Sequence, residues 1–267
     1  MADNRPIGIF DSGVGGLTVA NAIRQILPQE QLVYFGDTAH LPYGDKSKET
    51  IIHYSESITK YLLEYDCKII VIACNSASAN AYDKVKALAG DIPVINVIDP
   101  IVENVTQYEY KHIGVIGTKS TVASDTYANK IHAQKKGVLV SSMATPLFVP
   151  MIEEGFIFDD ISNAIIRNYL SRPDLGGVDA LILGCTHYPI IKNQVNKFFN
   201  FETDIIDSSK VTAQHLQKLL QEKQQLADIG TIIKHRFFVS DFTPYFKTIA
   251  KMFFEEEIEL ETVQLWD

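Results

Sequence analysis

Two short stretches of the chain share one pattern, and this pattern constrains the fold more than any other feature. They are IIVIACNSAS, residues 69–78, and ALILGCTHYP, residues 180–189. In each, an apolar run and one small residue lead to a cysteine, Cys74 or Cys185, and polar residues follow. Short apolar runs of this kind are typical of buried parallel strands. Each cysteine is therefore predicted at the carboxyl end of a strand, where open α/β sheets bind their ligands.

Each cysteine stretch is preceded by a segment, and these two segments also share one pattern. IGIFDSGVGG, residues 7–16, and IGVIGTKSTV, residues 113–122, each indicate a strand followed by a polar turn. Strands alternate with helical patterns along the chain, which favours parallel sheets covered on both faces. We predict an α/β fold of two pseudo-symmetric domains, each a mostly parallel sheet flanked by helices, with the active site in the cleft between them. The alternative is that parallel strands resemble one another by chance.

Several element boundaries are predicted from local signals. Strands are expected at residues 138–141 and, at the end of the chain, 258–265. Ser208 or Ser209 is expected to cap a long helix, because serine hydroxyls accept hydrogen bonds from the first helical N–H groups. Thr243 followed by Pro244 predicts another helix start.

Composition and charge exclude several classes of function. The net charge of −9 disfavours non-specific nucleic-acid binding. No apolar run approaches the length of a membrane helix, and MADNRP lacks the apolar core of a signal peptide. The three cysteines form no CxxC pair, so a reducing cytoplasm is the expected location. No His/Cys cluster has zinc-ligand spacing, so a zinc site is not expected.

The loop DSGVGGLTV, residues 11–19, is the first candidate binding element. Glycines near a strand end let the backbone approach a ligand, and free N–H groups at a helix start suit a carboxylate. The spacing is not G-x-G-x-x-G and no Lys-Ser/Thr follows, so a nucleotide loop is a poor match. Asp11 could alternatively be a helix cap and nothing more.

Two thiols at a shared cleft leave three chemistries open, and Cys67 is assigned no role. A single nucleophilic thiolate would suit acyl transfer but leaves the second cysteine unexplained. A redox pair usually has closer sequence spacing. In two-base proton transfer, one thiolate removes a proton from carbon while the opposite thiol supplies one to the other face. This third reaction needs one base on each face, as two pseudo-symmetric halves would provide.

Neighbouring polar residues are candidate partners of the two thiols. A free thiol has a pKa of about 8.5, so a thiolate base needs help from its site. Asp11 is the candidate partner of Cys74, and His187 is the candidate partner of Cys185. Ligand carboxylates would be held by polar loop residues, namely Ser12, Tyr43, Gly44, Asn75 and Thr186.

With these motifs in hand, the chain resembles the glutamate racemases of the cofactor-independent aspartate/glutamate racemase family. DSGVGGLTV, GDTAHLPYG, IACNSAS, GTKSTV, LFVPMIEEG and LGCTHYP occur in the family's order over nearly the whole chain. The resemblance implies an isomerase that interconverts L- and D-glutamate and supplies D-glutamate for peptidoglycan. It also implies that the C-terminal segment returns to the first domain, which gives domains of residues 1–98 plus 209–267 and residues 99–208.

The resemblance also assigns roles to residues. It implies that Cys74 removes the α-proton from D-glutamate and Cys185 removes it from L-glutamate, supported by Asp11 and His187. Implied substrate contacts are Asp11, Ser12, Tyr43, Gly44, Asn75, Ser76, Thr186 and His187. Implied supporting residues are Asp37, Thr118, Thr121 and Glu153.

Substrate choice and assembly complete the expectations. Aspartate racemases of the same family commonly carry an acidic residue in the place of His187, so the intact GCTH favours glutamate over aspartate. His40 departs from the family, because many members carry Arg there, and this leaves the loop's local contacts open. We expect glutamate as the substrate and a homodimer, with no nucleic-acid or membrane partner. A non-catalytic protein that binds an acidic ligand is the alternative of another class.

Overall fold

The computed structural model describes residues 2–230 and 232–266. Its strands are β1 (Ile7–Asp11), β2 (Leu32–Gly36), β3 (Ile69–Ile72), β4 (Val94–Asn96), β5 (His112–Gly117), β6 (Leu139–Ala144), β7 (Ala180–Gly184), β8 (Asp204–Asp207), β9 (Arg236–Val239) and β10 (Leu260–Thr262). Its α-helices are α1 (Leu17–Ile26), α2 (Lys48–Leu63), α3 (Asn75–Ala89), α4 (Asp99–Thr106), α5 (Lys119–Ala123), α6 (Thr126–Gln134), α7 (Phe148–Glu153), α8 (Asp160–Leu170), α9 (Lys192–Phe198), α10 (Ser208–Glu222) and α11 (Pro244–Phe254).

Two parallel sheets with matching strand order form the framework. The first has the order β10-β9-β2-β1-β3-β4, and the second has the order β6-β5-β7-β8. In both, the first strand of the half lies between the second and the third, and the fourth lies beyond the third. Each cysteine follows the third strand of its half. The predicted fold of two similar α/β halves is confirmed, and the shared strand order argues against a chance likeness.

The last two strands extend the first sheet. β9 pairs with β2, and β10 pairs with β9, both in parallel. The strands of the first sheet therefore come from residues 7–96 and 236–262, and those of the second come from residues 112–207. Residues 1, 231 and 267, which belong to the predicted domain ranges, lie outside the described residues.

Apolar side chains on both faces of each sheet build a core that joins the two halves. One face of each sheet packs into a common cluster with α1, α8, α10 and α11. The opposite face of the first sheet packs on α2 and α3, and that of the second sheet packs on α4 and α6. Burial on both faces explains why β3 and β7 are continuously apolar. No helix in residues 2–230 and 232–266 is long and apolar enough to cross a membrane.

Three local predictions differ from the structure. β6 extends to Ala144, well beyond 138–141, because it pairs along the full length of β5. The terminal strand covers only Leu260–Thr262, because only these residues pair with β9. The cap of α10 is Asp207, whose carboxylate accepts a hydrogen bond from the N–H of Ser209 at 3.0 Å. The predicted start of α11 at Thr243 and Pro244 is confirmed.

Candidate active site

Cys74 lies where β3 meets α3 and caps that helix. Its Sγ accepts a hydrogen bond from the N–H of Ala77 at 3.5 Å, and the side chain is only 5% exposed. The small residues after the cysteine let the helix begin against the sheet, and Ala77 is fully buried. The predicted position of this thiol at a strand end is confirmed.

Cys185 follows β7 directly, and the chain there continues into a short 3₁₀ turn over Tyr188–Ile191. Its Sγ lies 3.8 Å from Nδ1 of His187, and the cysteine is 6% exposed. The nearest partner of this thiol is therefore an imidazole, whereas the partner of Cys74 is the start of an α-helix.

Both cysteines line one cavity. It opens beside a second cavity that shares Gly44, Thr118 and Glu153 with it. All the predicted site residues line the first cavity except Asp11, Asp37 and Thr121. The two turns that follow the third strands, one in each half, therefore meet at a common space.

Asp11 ends β1 and holds the glycine-rich turn together. Its Oδ2 accepts hydrogen bonds from the N–H groups of Gly13 at 3.2 Å and Gly16 at 2.9 Å. Its Oδ1 is buried and has no hydrogen-bond partner in the described part of the chain. Burial raises the pKa of this carboxyl, although His187 and the turn N–H groups oppose the rise.

The surroundings of Cys74 favour its protonated thiol. Burial, followed by the nearby carboxyl of Asp11, raises the pKa of Cys74 to about 12, and the N–H of Ala77 opposes the rise only in part. A helix start ordinarily favours a thiolate, but this effect is outweighed by burial at Cys74. The Cys74 thiol is therefore protonated near neutral pH.

His187 is held between a thiol and a carboxylate. Its Nε2 lies 2.9 Å from Oε1 of Glu153, and its ring meets the edge of Phe253 with centroids 5.1 Å apart. Burial lowers the pKa of His187, but hydrogen bonds with Cys185 and Glu153 outweigh it and raise the pKa to about 10. A cationic imidazole beside Cys185 can pair with a thiolate there.

Asp37 supports the cavity from behind and does not line it. Its carboxylate accepts hydrogen bonds from the hydroxyls of Tyr43 and Ser240, both at 2.7 Å, and from Nε1 of Trp266 at 3.0 Å. Nδ1 of His40 lies 3.0 Å from the same carboxylate. His40, the residue that departs from the family pattern, thus holds the Asp37 carboxylate in place, and this carboxylate in turn holds the Tyr43 hydroxyl.

His40 also belongs to an aromatic group. Its ring stacks on Tyr54 with centroids 4.1 Å apart and meets the edge of Trp266 at 4.7 Å. The C-terminal tail therefore packs on the loop that carries Tyr43 and Gly44.

Hydroxyl groups join the two halves at the mouth of the site. Ser76 Oγ lies 2.9 Å from Thr118 Oγ1 and 3.4 Å from Thr121 Oγ1. Gly44 packs so closely on Thr118 that a Cβ added there would lie 2.7 Å from the threonine Cβ. Ser76 and Gly44 belong to the first half and the threonines to the second, so these contacts hold the halves together around the cavity.

Several residues that shape the site were not predicted. Gly13, Leu41, Pro42 and Val149 line the cavity, and each lies within a motif that the sequence had already singled out. Tyr127 carries no such signal, because it lies between motifs in a helix with an ordinary pattern. Its contacts follow from the packing of the two halves and could not be read from local sequence.

The geometry defines a class of protein. Two buried thiols, one from each half, line a cavity with an imidazole beside one and a carboxyl near the other. This arrangement suits proton removal and return at a carbon atom, the chemistry of a racemase or epimerase. Residues 2–230 and 232–266 contain no group of three or more His, Cys, Asp or Glu side chains arranged to hold a metal.

Comparisons with known proteins agree with this class. A family model described as Asp/Glu/Hydantoin racemase matches residues 17–216. The glutamate racemase of Chlorobium phaeobacteroides is 42% identical over 97% of this chain and 96% of its own length. The crystal structure of glutamate racemase from Francisella tularensis, in complex with D-glutamate, is 42% identical with a TM-score of 0.93 and covers 98% of both chains.

A more distant structure, Escherichia coli glutamate racemase in complex with L-glutamate and the activator UDP-MurNAc-ala, is 25% identical with a TM-score of 0.77. It covers 97% of this chain and 98% of its own. The chain belongs to the Asp/Glu/Hydantoin racemase family.

Proposed function

We propose that this protein is an isomerase that interconverts L- and D-glutamate by two-base proton transfer. The observation that carries the proposal is the pair of thiols in one cavity with unlike partners. Cys185 has an imidazole at 3.8 Å, whereas burial and Asp11 keep Cys74 protonated. In the direction from L-glutamate, Cys185 would accept the proton and Cys74 would give one.

The reaction proceeds from L-glutamate in two proton transfers. The thiolate of Cys185, paired with the His187 imidazolium, takes the α-proton and becomes a thiol, which leaves a carbanion at the α-carbon. The thiol of Cys74 gives its proton to the opposite face and becomes a thiolate, which completes D-glutamate. The reverse reaction starts with the thiolate of Cys74. Each turnover takes one proton from the substrate and gives one back, so the net proton count is unchanged and no redox or group-transfer partner is needed. Before the next turnover from L-glutamate, exchange with solvent returns a proton to Cys74 and removes one from Cys185.

The polar groups of the cavity supply binding and charge stabilisation. Substrate carboxylates and the ammonium group would contact polar residues of both halves, namely Ser12, Tyr43, Gly44, Asn75, Ser76, Thr186 and His187. Because Asp11 does not line the cavity, we assign it an action through Cys74, and direct contact with substrate stays a prediction. Preorganised donors of this kind stabilise developing charge more effectively than water does, because their orientation is already fixed.

Organisation and context belong to the same proposal. Residues 1–98 plus 209–267 and residues 99–208 form the two domains, a division supported by the membership of the two sheets.

The three cysteines are free, which agrees with a reducing cytoplasm. The product would enter peptidoglycan synthesis, and no cofactor is assigned. A homodimer is the expected assembly, and sedimentation equilibrium would test it.

Two other functions compete with this proposal. An aspartate racemase of the same fold would turn over aspartate faster than glutamate; the pairing of His187 with Glu153 at 2.9 Å supports glutamate, because the aspartate enzymes commonly have an acidic residue at position 187. A non-catalytic protein would bind glutamate without exchanging its α-proton.

The decisive experiment uses purified protein in D₂O without added cofactor. L-Glutamate should lose its circular dichroism signal completely, and deuterium should enter at the α-carbon of the product. Cys74→Ser and Cys185→Ser should each lower racemisation at least about 1,000-fold with unchanged melting temperatures, because a serine hydroxyl is a far weaker acid than a thiol. Full activity in either variant would refute the two-base mechanism. Faster turnover of aspartate would favour the alternative substrate, and binding without exchange would favour the binding protein.

A further inference from the structure

A tyrosine of the second half contacts the substrate-facing helix start of the first half. The hydroxyl of Tyr127, in the first turn of α6, donates a hydrogen bond to Oδ1 of Asn75 at 2.7 Å. Both residues are 2% exposed. The preceding residue, Thr126, donates to the carbonyl of Ala79 at 3.4 Å, so the start of α6 meets α3 at two points.

The other end of the Asn75 amide has no partner. Asn75 lines the cavity, and its Nδ2 is buried with no hydrogen bond in residues 2–230 and 232–266. An unpaired buried N–H group is destabilising, so a group left in this state calls for a ligand acceptor. A carboxylate oxygen in the cavity is such an acceptor.

The tyrosine decides which end of the amide faces the cavity. Burial raises the pKa of Tyr127, so its hydroxyl stays protonated. A phenol can also accept, but this hydroxyl has no other hydrogen-bond partner within residues 2–230 and 232–266, so its proton goes to the amide oxygen. An amide can turn over and exchange its oxygen and nitrogen positions unless a neighbour distinguishes the two ends. Donation from Tyr127 selects the oxygen for its own side and leaves the NH₂ group for the cavity.

The same ring also touches the second cysteine turn. A Cβ added at Gly184, the residue before Cys185, would lie 3.4 Å from Cε2 of Tyr127. Tyr127 therefore contacts the residue before Cys185 with its ring and the residue after Cys74 with its hydroxyl. No other role in the proposed reaction uses this side chain.

We propose that Tyr127 is a positioning residue that orients the Asn75 amide so that its NH₂ group binds a carboxylate of the substrate. This inference rests on the proposed function. It deepens that function, because substrate binding by the first half would then depend on the position of a side chain of the second half.

The test is steady-state racemisation of both enantiomers by Tyr127→Phe, which removes the hydroxyl and keeps the ring. The KM should rise about tenfold, as expected for one lost hydrogen bond, while kcat changes by less than about threefold. Tyr110→Phe is the matched control, because its hydroxyl also bonds a side chain of the second half, Asp204 at 2.7 Å, away from the cavity. Its kinetics should equal those of the wild type.

A double-mutant cycle shows whether Tyr127 acts through Asn75. In an Asn75→Ala background, Tyr127→Phe should change KM by less than about twofold, because the amide that it orients is gone. An equal rise in both backgrounds, or no rise in the wild-type background, would overturn the inference while the racemase activity stands. A wild-type protein that leaves glutamate unchanged would overturn the proposed function itself.

A second variant keeps the test open if Tyr127→Phe does not fold. Asn75→Asp retains the oxygen that Tyr127 contacts and places a carboxylate oxygen where the NH₂ group was. Its KM should exceed that of Asn75→Ala by at least about tenfold, because two carboxylates would then face each other. Equal KM values for the two variants would show that the NH₂ group does not face the substrate.

Discussion

Gly15 packs closely against His187, and this makes Gly15→Ala an informative perturbation. A Cβ placed at Gly15 would lie 2.4 Å from Cε1 and 2.5 Å from Nδ1 of His187, and 2.7 Å from Oγ1 of Thr186. Ordinary contact for a Cβ begins at 3.4 Å, so the imidazole must retreat by about 1 Å. It cannot do so and keep both its 3.8 Å contact with Cys185 and its 2.9 Å contact with Glu153.

The expected cost follows from this displacement. A misplacement of about 1 Å at a reacting group costs about 100-fold in rate, which corresponds to about 2.7 kcal/mol of transition-state stabilisation at about 1.4 kcal/mol for each factor of ten. We expect kcat/KM to fall by this factor equally for L- and D-glutamate, because the equilibrium constant between two enantiomers is one. Because the displaced imidazole is the partner of Cys185, deuterium exchange should nevertheless be slower into L-glutamate than into D-glutamate.

The assay is racemisation followed by circular dichroism from each enantiomer, with melting temperatures measured in parallel. Gly176→Ala is the control, because its nearest neighbour would be the carbonyl oxygen of Pro173 at 3.2 Å, which needs only a small adjustment far from the site. A Gly15→Ala protein that folds normally and keeps kcat/KM within about threefold of wild type would refute the reasoning, because His187 would then not need its present position.

Two further predictions concern charge. Glu153→Gln removes one of the two groups, Cys185 and Glu153, whose hydrogen bonds raise the pKa of His187 to about 10. The alkaline limb of the kcat/KM profile should therefore move to lower pH, and an unmoved limb would contradict this. The variant should also unfold more easily than the wild type. This loss of unfolding free energy should be full below the ordinary histidine pKa of about 6.5 and should vanish as pH rises through about 10. Lys68→Met should cost about 3–5 kcal/mol in urea unfolding, because Lys68 pairs at 2.6 Å with the fully buried Glu30. Adding Glu30→Gln should recover part of the loss, and a loss under about 1 kcal/mol would show that the pair is unimportant.

Much of the fold followed from local sequence because parallel strands are continuously apolar and end at polar turns. The position of Cys74 at the end of β3 and that of Cys185 at the end of β7 are both set by this rule. The site residues within motifs were found for the same reason, since each motif is one such turn.

What sequence could not supply was the contacts between distant segments. Asp37 was assigned near the site, but its carboxylate is engaged by Tyr43, Ser240 and Trp266, two of which lie about 200 or more positions away along the chain. The protonated state expected for Cys74 likewise depends on burial and on Asp11, which only the folded chain brings together. The pairing of Tyr127 with Asn75 is of the same kind.

The matching strand order of the two halves bears on how one chain handles mirror-image substrates. Two identical half-chains related by a two-fold axis would surround both thiols with the same groups, so the two thiols would have the same intrinsic pKa. Fusion into one polypeptide lets each copy diverge: Asp11 influences one thiol, and Glu153 acts through His187 on the other. The two halves share a strand order but surround their thiols with different groups. A single enzyme can therefore begin each cycle with one proton donor and one proton acceptor.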